Sequence, residues 1–104
     1  MPAYFAVWAT DHPEAAADRA RVREAHRARL RDPAPHPVKV VIAGPTFYEA
    51  GGGMNGTLLI IEAASIDAVR AFIAEDPYVL AGVYASVDVR PWHWGLGAPA
   101  AQAP

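Results

Sequence analysis

The chain has 104 residues, and 9 Lys and Arg against 11 Asp and Glu leave a formal charge of -2; that length fits one domain with a modest core, and the near-neutral balance argues against a dedicated nucleic-acid binder, which carries a basic surplus. Cysteine is absent, which excludes disulfides, thiolate metal sites, iron–sulfur clusters and thiol nucleophiles. No apolar run approaches the ~20 residues of a membrane helix, and residues 1–10 lack the basic start and long apolar stretch of a signal peptide, so a cytoplasmic address with no membrane partner is expected.

Ala3 to Ala9 is apolar and holds Tyr, Phe, Val and Trp, which reads as a buried strand. Asp11 is placed to cap a helix, with Pro13 tolerated at its start, and the Ala-, Arg- and Glu-rich stretch to about Arg31 favours that helix. Ala15, Arg19, Val22, Arg23, His26 and Leu30 share one sector of its surface at 3.6-residue periodicity. Val22 and Leu30 must face the core, so His26, between them, faces it too. Pro33, Pro35 and Pro37 end the helix.

Val38 to Ala43 reads as a second strand ended by Gly44-Pro45, and Glu49 to Gly56 as a glycine-rich connection. Thr57 to Glu62 is a third strand, hairpin-paired with the second. Ser65 caps a second helix whose Ile66, Val69, Phe72 and Ile73 form an apolar face. Asp76-Pro77 interrupts it, and Tyr78 to Ala81 adds one turn. Val83 to Trp94 is a fourth strand with Val83, Ala85, Val87 and Val89 on one face. Residues 95–104 carry no packing signal and are expected to be a mobile tail behind a domain of residues 1–94.

The order β-α-β-β-α-β predicts a ferredoxin-like α+β sandwich, with two helices on one face of an antiparallel sheet. Tyr4, Trp8, Tyr84 and Trp92 have the parity opposite to Phe5, Val7, Val83 and Val87, so both sheet faces carry large apolar groups. Two helices cover only one of them. A second copy of the sheet is the simplest cover for the other, which predicts a sheet-to-sheet homodimer.

Among residues that carry chemistry, His26 is a proton acceptor or donor near neutral pH, or a core histidine held by a backbone carbonyl. Asp76, held extended by the proline after it, reads from its own position as an N-cap of the following turn. Arg19 and Arg23 suit a carboxylate or phenolate, although snorkelling stems account for them as well, Arg19 especially. Arg21, Arg27, Arg29 and Arg31 read as a solvated face with Asp18 and Glu24. Tyr4, Trp8, Tyr48, Tyr78, Tyr84, Trp92 and Trp94 line an aromatic-friendly pocket, or more simply are interface or core residues, and the Gly44 amide suits an oxyanion, although turn geometry alone also explains Gly44-Pro45. His12, His26, His36 and His93 offer no i, i+4 pair, so no metal is expected. The Gly51-Gly52-Gly53 run has no helix after it, so no nucleotide is expected either.

Three segments together resemble the YCII-related (YciI-like) family across roughly residues 3–94. They are Arg23-x-x-His26-x-x-x-Leu30, Ala43-Gly44-Pro45, and Asp76-Pro77-Tyr78 followed by Ala81-Gly82-Val83-Tyr84 and Val87-x-Val89-Arg90-Pro91-Trp92. The resemblance implies a dimeric α+β barrel and a His–Asp pair in a pocket, carried here by His26 and Asp76. One branch of that family is a dehydrochlorinase of a chlorinated hydroxyhydroquinone. The chain departs from the family pattern in its glycine-free link from Asp32 to Pro37. The expectation is a small cofactor-independent enzyme of lyase or isomerase type, in which His26 moves a proton and Asp76 orients it. Arg23, Gly44, Tyr78, Tyr4 and Trp8 then bind a small molecule, at its most specific an anionic aromatic. The alternatives are a non-catalytic metabolite-binding or accessory module, and a structural dimer without chemistry.

Overall fold

The computed structural model describes residues 3–97; residues 98–104, most of the expected tail, lie outside them. Four strands, β1 (Ala3–Asp11), β2 (Val38–Phe47), β3 (Met54–Ala63) and β4 (Tyr84–Trp92), are joined by helices α1 (Ala16–Arg31), α2 (Ile66–Ala74) and α3 (Pro77–Leu80), with a 3-10 turn at Glu49–Gly51. The strands form one sheet in the order β2-β3-β1-β4, and every neighbouring pair is antiparallel. This is the ferredoxin-like α+β fold, with the helices on one face.

Alternation along the two central strands sets that face. Phe5, Val7 and Ala9 of β1 stand opposite Ile61, Leu59 and Thr57 of β3, and all six are buried. Val69, Phe72 and Ile73 of α2 close over Phe5, Val7, Leu59 and Ile61 to make the main core. Burial of such side chains contributes ~1.5–3 kcal/mol each. The start of α2 follows from Ser65, whose hydroxyl accepts from the Ala68 amide at 3.2 Å.

Helix α1 contributes differently. Its buried residues are Arg19 and His26, while Val22 and Leu30 are only partly covered. A helix that buries polar side chains cannot seal against the sheet as α2 does, and an opening remains between α1 and the β2–β3 hairpin.

Several boundaries differ from those read in the sequence. β1 continues to Asp11, so Asp11 is a strand residue and not a cap; α1 begins after Ala15 with no side-chain cap, and Glu14 turns the chain with φ 73°. β2 runs on through Gly44-Pro45, because it is the sheet's edge strand, where proline's missing N–H is tolerated. Register shifts fall between Val40 and Ile42 and between Thr10 and Asp11. The second shift sets Tyr84 opposite Asp11. Tyr84 therefore lies on the helix side of the sheet, not on the outer face with Tyr4, Trp8 and Trp92, and β4 ends at Trp92 rather than Trp94. The outer face carries Tyr4, Trp8, Ile42, Leu58, Ile60 and Trp92, and Trp8 is 53% exposed in the single chain.

Candidate active site

The site begins at the break between α2 and α3. Asp76 precedes a proline, which holds its backbone extended, at φ -63° and ψ 133°. Its side chain folds back as the cap of α3: Oδ1 accepts from the Tyr78 amide at 2.8 Å. The same carboxylate meets His26, whose Nδ1 lies 2.9 Å from Oδ1 and 3.0 Å from Oδ2. Asp76 is 1% exposed and His26 5%. Capping and pairing, which compete for lone pairs, are thus both satisfied by one carboxylate with lone pairs to spare.

An ionised carboxylate only accepts, so Nδ1 carries the proton and the neutral ring keeps its lone pair on Nε2. Among the described residues nothing hydrogen-bonds Nε2. The Tyr78 ring lies flat on the imidazole, with centroids 3.9 Å apart at 20°, and the Arg19 guanidinium sits 4.5 Å from the Tyr78 centroid. Arg19 and His26 are two helical turns apart on α1 and Tyr78 packs against both.

Arg19 does not snorkel. It is 3% exposed. Nε donates to Asp11 Oδ2 at 2.9 Å, and Nη2 donates to Asp11 Oδ1 at 3.2 Å, to the Gly56 carbonyl at 2.7 Å and to Thr57 Oγ1 at 2.7 Å. Burial works against its charge, but the hydrogen bond and attraction to Asp11 outweigh it and hold the guanidinium above its ordinary value. Burial likewise pushes the nearby Tyr84 hydroxyl far up, with the neighbouring Thr57 hydroxyl pulling the other way and the Asp76 charge adding to the rise.

Beside this cluster lies a cavity of about 290 Å³ between α1 and the β2–β3 hairpin. His26, Arg23 and Tyr78 line it, together with the backbone of Gly44; Asp76 stands behind the imidazole. Tyr4 and Trp8 do not reach it: their even positions on β1 turn them to the outer face, with the sheet between them and His26. Arg27 and Arg31, assigned from sequence to a solvated face, are part of the wall. Arg29 also leaves that face, donating to the Phe72 carbonyl at 2.6 Å and lying 4.2 Å from the Phe72 ring. Asp11 is legible in the sequence as a buried residue, since it continues the odd-numbered set Phe5, Val7, Ala9; reading it as a helix cap hides that signal. Among the described residues no group of three or more His, Cys, Asp or Glu is arranged to hold a metal ion, and no helix is long and apolar enough to cross a membrane.

A split β-α-β sheet with helices on one face, an apolar outer face and a buried His–Asp pair at a cavity under the first helix defines the class: a small protein of the dimeric α+β barrel type. The chain belongs to the YCII-related family, whose domain matches residues 3–93. It is 34% identical over 94 residues to an uncharacterised protein of Haemophilus influenzae, covering 86% of this chain and 95% of that one. It is 33% identical over 96 residues to protein YciI of Escherichia coli, covering 85% and 94%. Among solved structures it is similar to 5-chloro-2-hydroxyhydroquinone dehydrochlorinase (TftG) of Burkholderia phenoliruptrix in complex with 2,5-dihydroxybenzoquinone. That match has a TM-score of 0.76 and 31% identity, covering 88% of this chain and 95% of that one. SnoaB, a cofactor-independent oxygenase of Streptomyces nogalater, shares the fold with a TM-score of 0.52 at 13% identity, covering 94% and 97%.

Proposed function

We propose that the chain is a small enzyme that moves a proton on an anionic aromatic molecule, with His26 as the proton acceptor and Asp76 as its orienting partner. The observation that carries this reading is the paired imidazole at the cavity wall, its Nδ1 held by Asp76 and its Nε2 without a hydrogen-bond partner among the described residues, in a chain 31% identical to a dehydrochlorinase of similar fold.

The chemistry follows from the geometry. Nε2 takes a proton from a ring hydroxyl or an activated ring carbon, and Asp76 stabilises the imidazolium that forms. Tyr78 keeps both partners in place, through its amide on the carboxylate and its ring on the imidazole. Arg23 and the Gly44 amide face the charge that develops on a substrate oxygen, next to the apolar part of the wall formed by Leu30, Ala43, Pro45 and Met54, where such contacts are strengthened. Moving the proton from a ring hydroxyl to a ring carbon gives the keto tautomer, which is isomerisation; where that carbon carries chloride it has become tetrahedral, and loss of a second hydroxyl proton forms a carbonyl and expels the chloride, which is elimination. We further infer that the working unit is a homodimer joined through the outer sheet faces.

Purified protein incubated with 5-chloro-2-hydroxyhydroquinone, followed by chloride release, tests the reading. Turnover that falls ~100-fold or more in His26→Ala is the expected result, the size of a general-base contribution. Unchanged turnover in that variant removes His26 from the chemistry. A parent protein that binds such compounds without turning them over is a binding module instead.

A further inference from the structure

The cavity wall is unbalanced in charge. Among the described residues four arginines line it and no Asp or Glu does. Arg19 is neutralised by Asp11, and Arg27 has Glu24 at 3.4 Å. Arg23 and Arg31 have no carboxylate partner among the described residues. Arg23 is the sharper case: its Nε is buried with no hydrogen-bond partner, and the one contact of its Nη2 is the Met54 sulfur at 4.0 Å, a weak acceptor. A buried guanidinium N–H without an oxygen costs ~1–3 kcal/mol or more, so the site is built to receive one. Arg31 stands at the other end, beside Leu30, where the cavity runs into a second groove that shares Leu30, Arg31 and Ala43. Eight residues of helix separate their Cα atoms by ~12 Å, too far for one carboxylate to serve both without drawing both long side chains inward. Leu30, Ala43, Pro45 and Met54 line the space between and lower its dielectric. The remaining negative charge nearby, Asp76, is covered by His26.

We propose that this cavity takes a rigid dianion: a single ring bearing two separated acidic groups, one held by Arg23 beside His26 and the other by Arg31 at the Leu30 end. This deepens the reading of the cavity as a small-molecule site, on which it rests, and names its ligand class. Two acidic groups balance the two uncompensated guanidiniums, and a volume of about 290 Å³ suits one substituted ring.

The test is calorimetric binding of three single-ring probes at low ionic strength: terephthalate, a dianion; benzoate, a monoanion that lacks the second group; and terephthalamide, which matches terephthalate in outline and is neutral. Terephthalate is expected to bind at least ~10-fold tighter than either of the others, a difference of about 1.4 kcal/mol. Arg31→Gln is expected to cost terephthalate about tenfold in affinity and benzoate little, because Arg31 meets only the second group. Arg23→Gln is expected to weaken both anions. Arg31 is exposed, so Arg31→Gln keeps its fold and decides the question should Arg23→Gln prove unstable. Equal binding of the three probes, no measurable binding, or an Arg31→Gln variant indistinguishable from the parent overturns the proposal. His26→Gln separates it from the proton-transfer reading: terephthalate affinity survives there while turnover is lost. Dianion preference without any turnover leaves this inference standing and removes the other.

Discussion

Asp76 holds two partners with one carboxylate, and substitutions separate them. Asp76→Asn keeps an oxygen for the Tyr78 amide but removes the charge that balances an imidazolium. It is expected to keep most of the stability and to lose most of the turnover, as loss of the orienting carboxylate does in His-based catalysis. Asp76→Ala removes both and leaves the amide and imidazole buried without partners, costing ~1–3 kcal/mol for each group left unpaired. Urea unfolding beside the chloride-release assay checks the split. Arg19 poses the same question for a structural pair. Arg19→Met leaves the Asp11 carboxylate buried and alone, at an expected cost of ~3–5 kcal/mol, while Arg19→Met with Asp11→Leu is expected to recover much of it. The Tyr84 hydroxyl adds a pH signature. Its folded value is raised by burial, so the neutral form is favoured by folding. That contribution is complete below the unfolded value of ~10 and is lost as pH climbs beyond it. With unfolding measured across about pH 8 to 11, the parent is expected to lose stability relative to Tyr84→Phe only above about pH 10, and the two to run parallel below it.

Helices α1 and α2 show at the level of elements what a sequence makes legible. α2 carries its instructions locally: Ser65 caps it, four apolar residues form its face, and both are found as read. α1 shows its stripe equally clearly, but the stripe is polar, and periodicity states which residues face inward without saying what meets them. His26 and Asp76 are fifty positions apart, and their pairing is legible through family resemblance rather than spacing. Arg19 escapes a sequence reading because its acceptors, Asp11, Gly56 and Thr57, come from two strands whose register is a tertiary fact. The register shifts are illegible for the same reason: a bulge is fixed by what neighbouring strands need, and here it moves Tyr84 from the outer face to the inner one. Gly56 is where that need is most acute. A Cβ at this position would collide with the Ala9 carbonyl oxygen and stand 2.7 Å from Thr46 Oγ1, and the Gly56 carbonyl is also an Arg19 acceptor. Gly56→Ala is expected to destabilise the fold by ~1–3 kcal/mol, the usual cost of overpacking, and to loosen Arg19 with it, seen as faster amide exchange along β1 and β3. Gly44→Ala, with open space at its Cβ, is the matched control and is expected to cost much less.

For the molecule as a whole, the two faces of the sheet divide the work. The helix face supplies the core and the cavity. The outer face carries Tyr4, Trp8, Ile42, Leu58, Ile60 and Trp92; in a single chain Ile60 is already buried, while Trp8 and Ile42 are left more than two-fifths exposed. Large apolar side chains exposed on a 104-residue chain are costly in water and invite a partner, and the dimeric barrel architecture supplies one in the same sheet related by a twofold axis. Stable association calls for ~1,200–2,000 Å² of buried surface in total, which a four-stranded face can provide from each copy. Trp8→Arg places a charge at the middle of that face while touching nothing on the helix side. The parent is expected to sediment as a dimer at micromolar concentration and Trp8→Arg to shift towards monomer; a parent that sediments as a monomer would sink the sheet-to-sheet arrangement. Because β1 and β3 stand between the outer face and His26, the variant's monomer is expected to keep its terephthalate affinity within about threefold, as independent sites more than ~7–10 Å apart do. A larger loss would mean that the second copy helps to hold α1 against the hairpin, making assembly part of how the cavity keeps its shape.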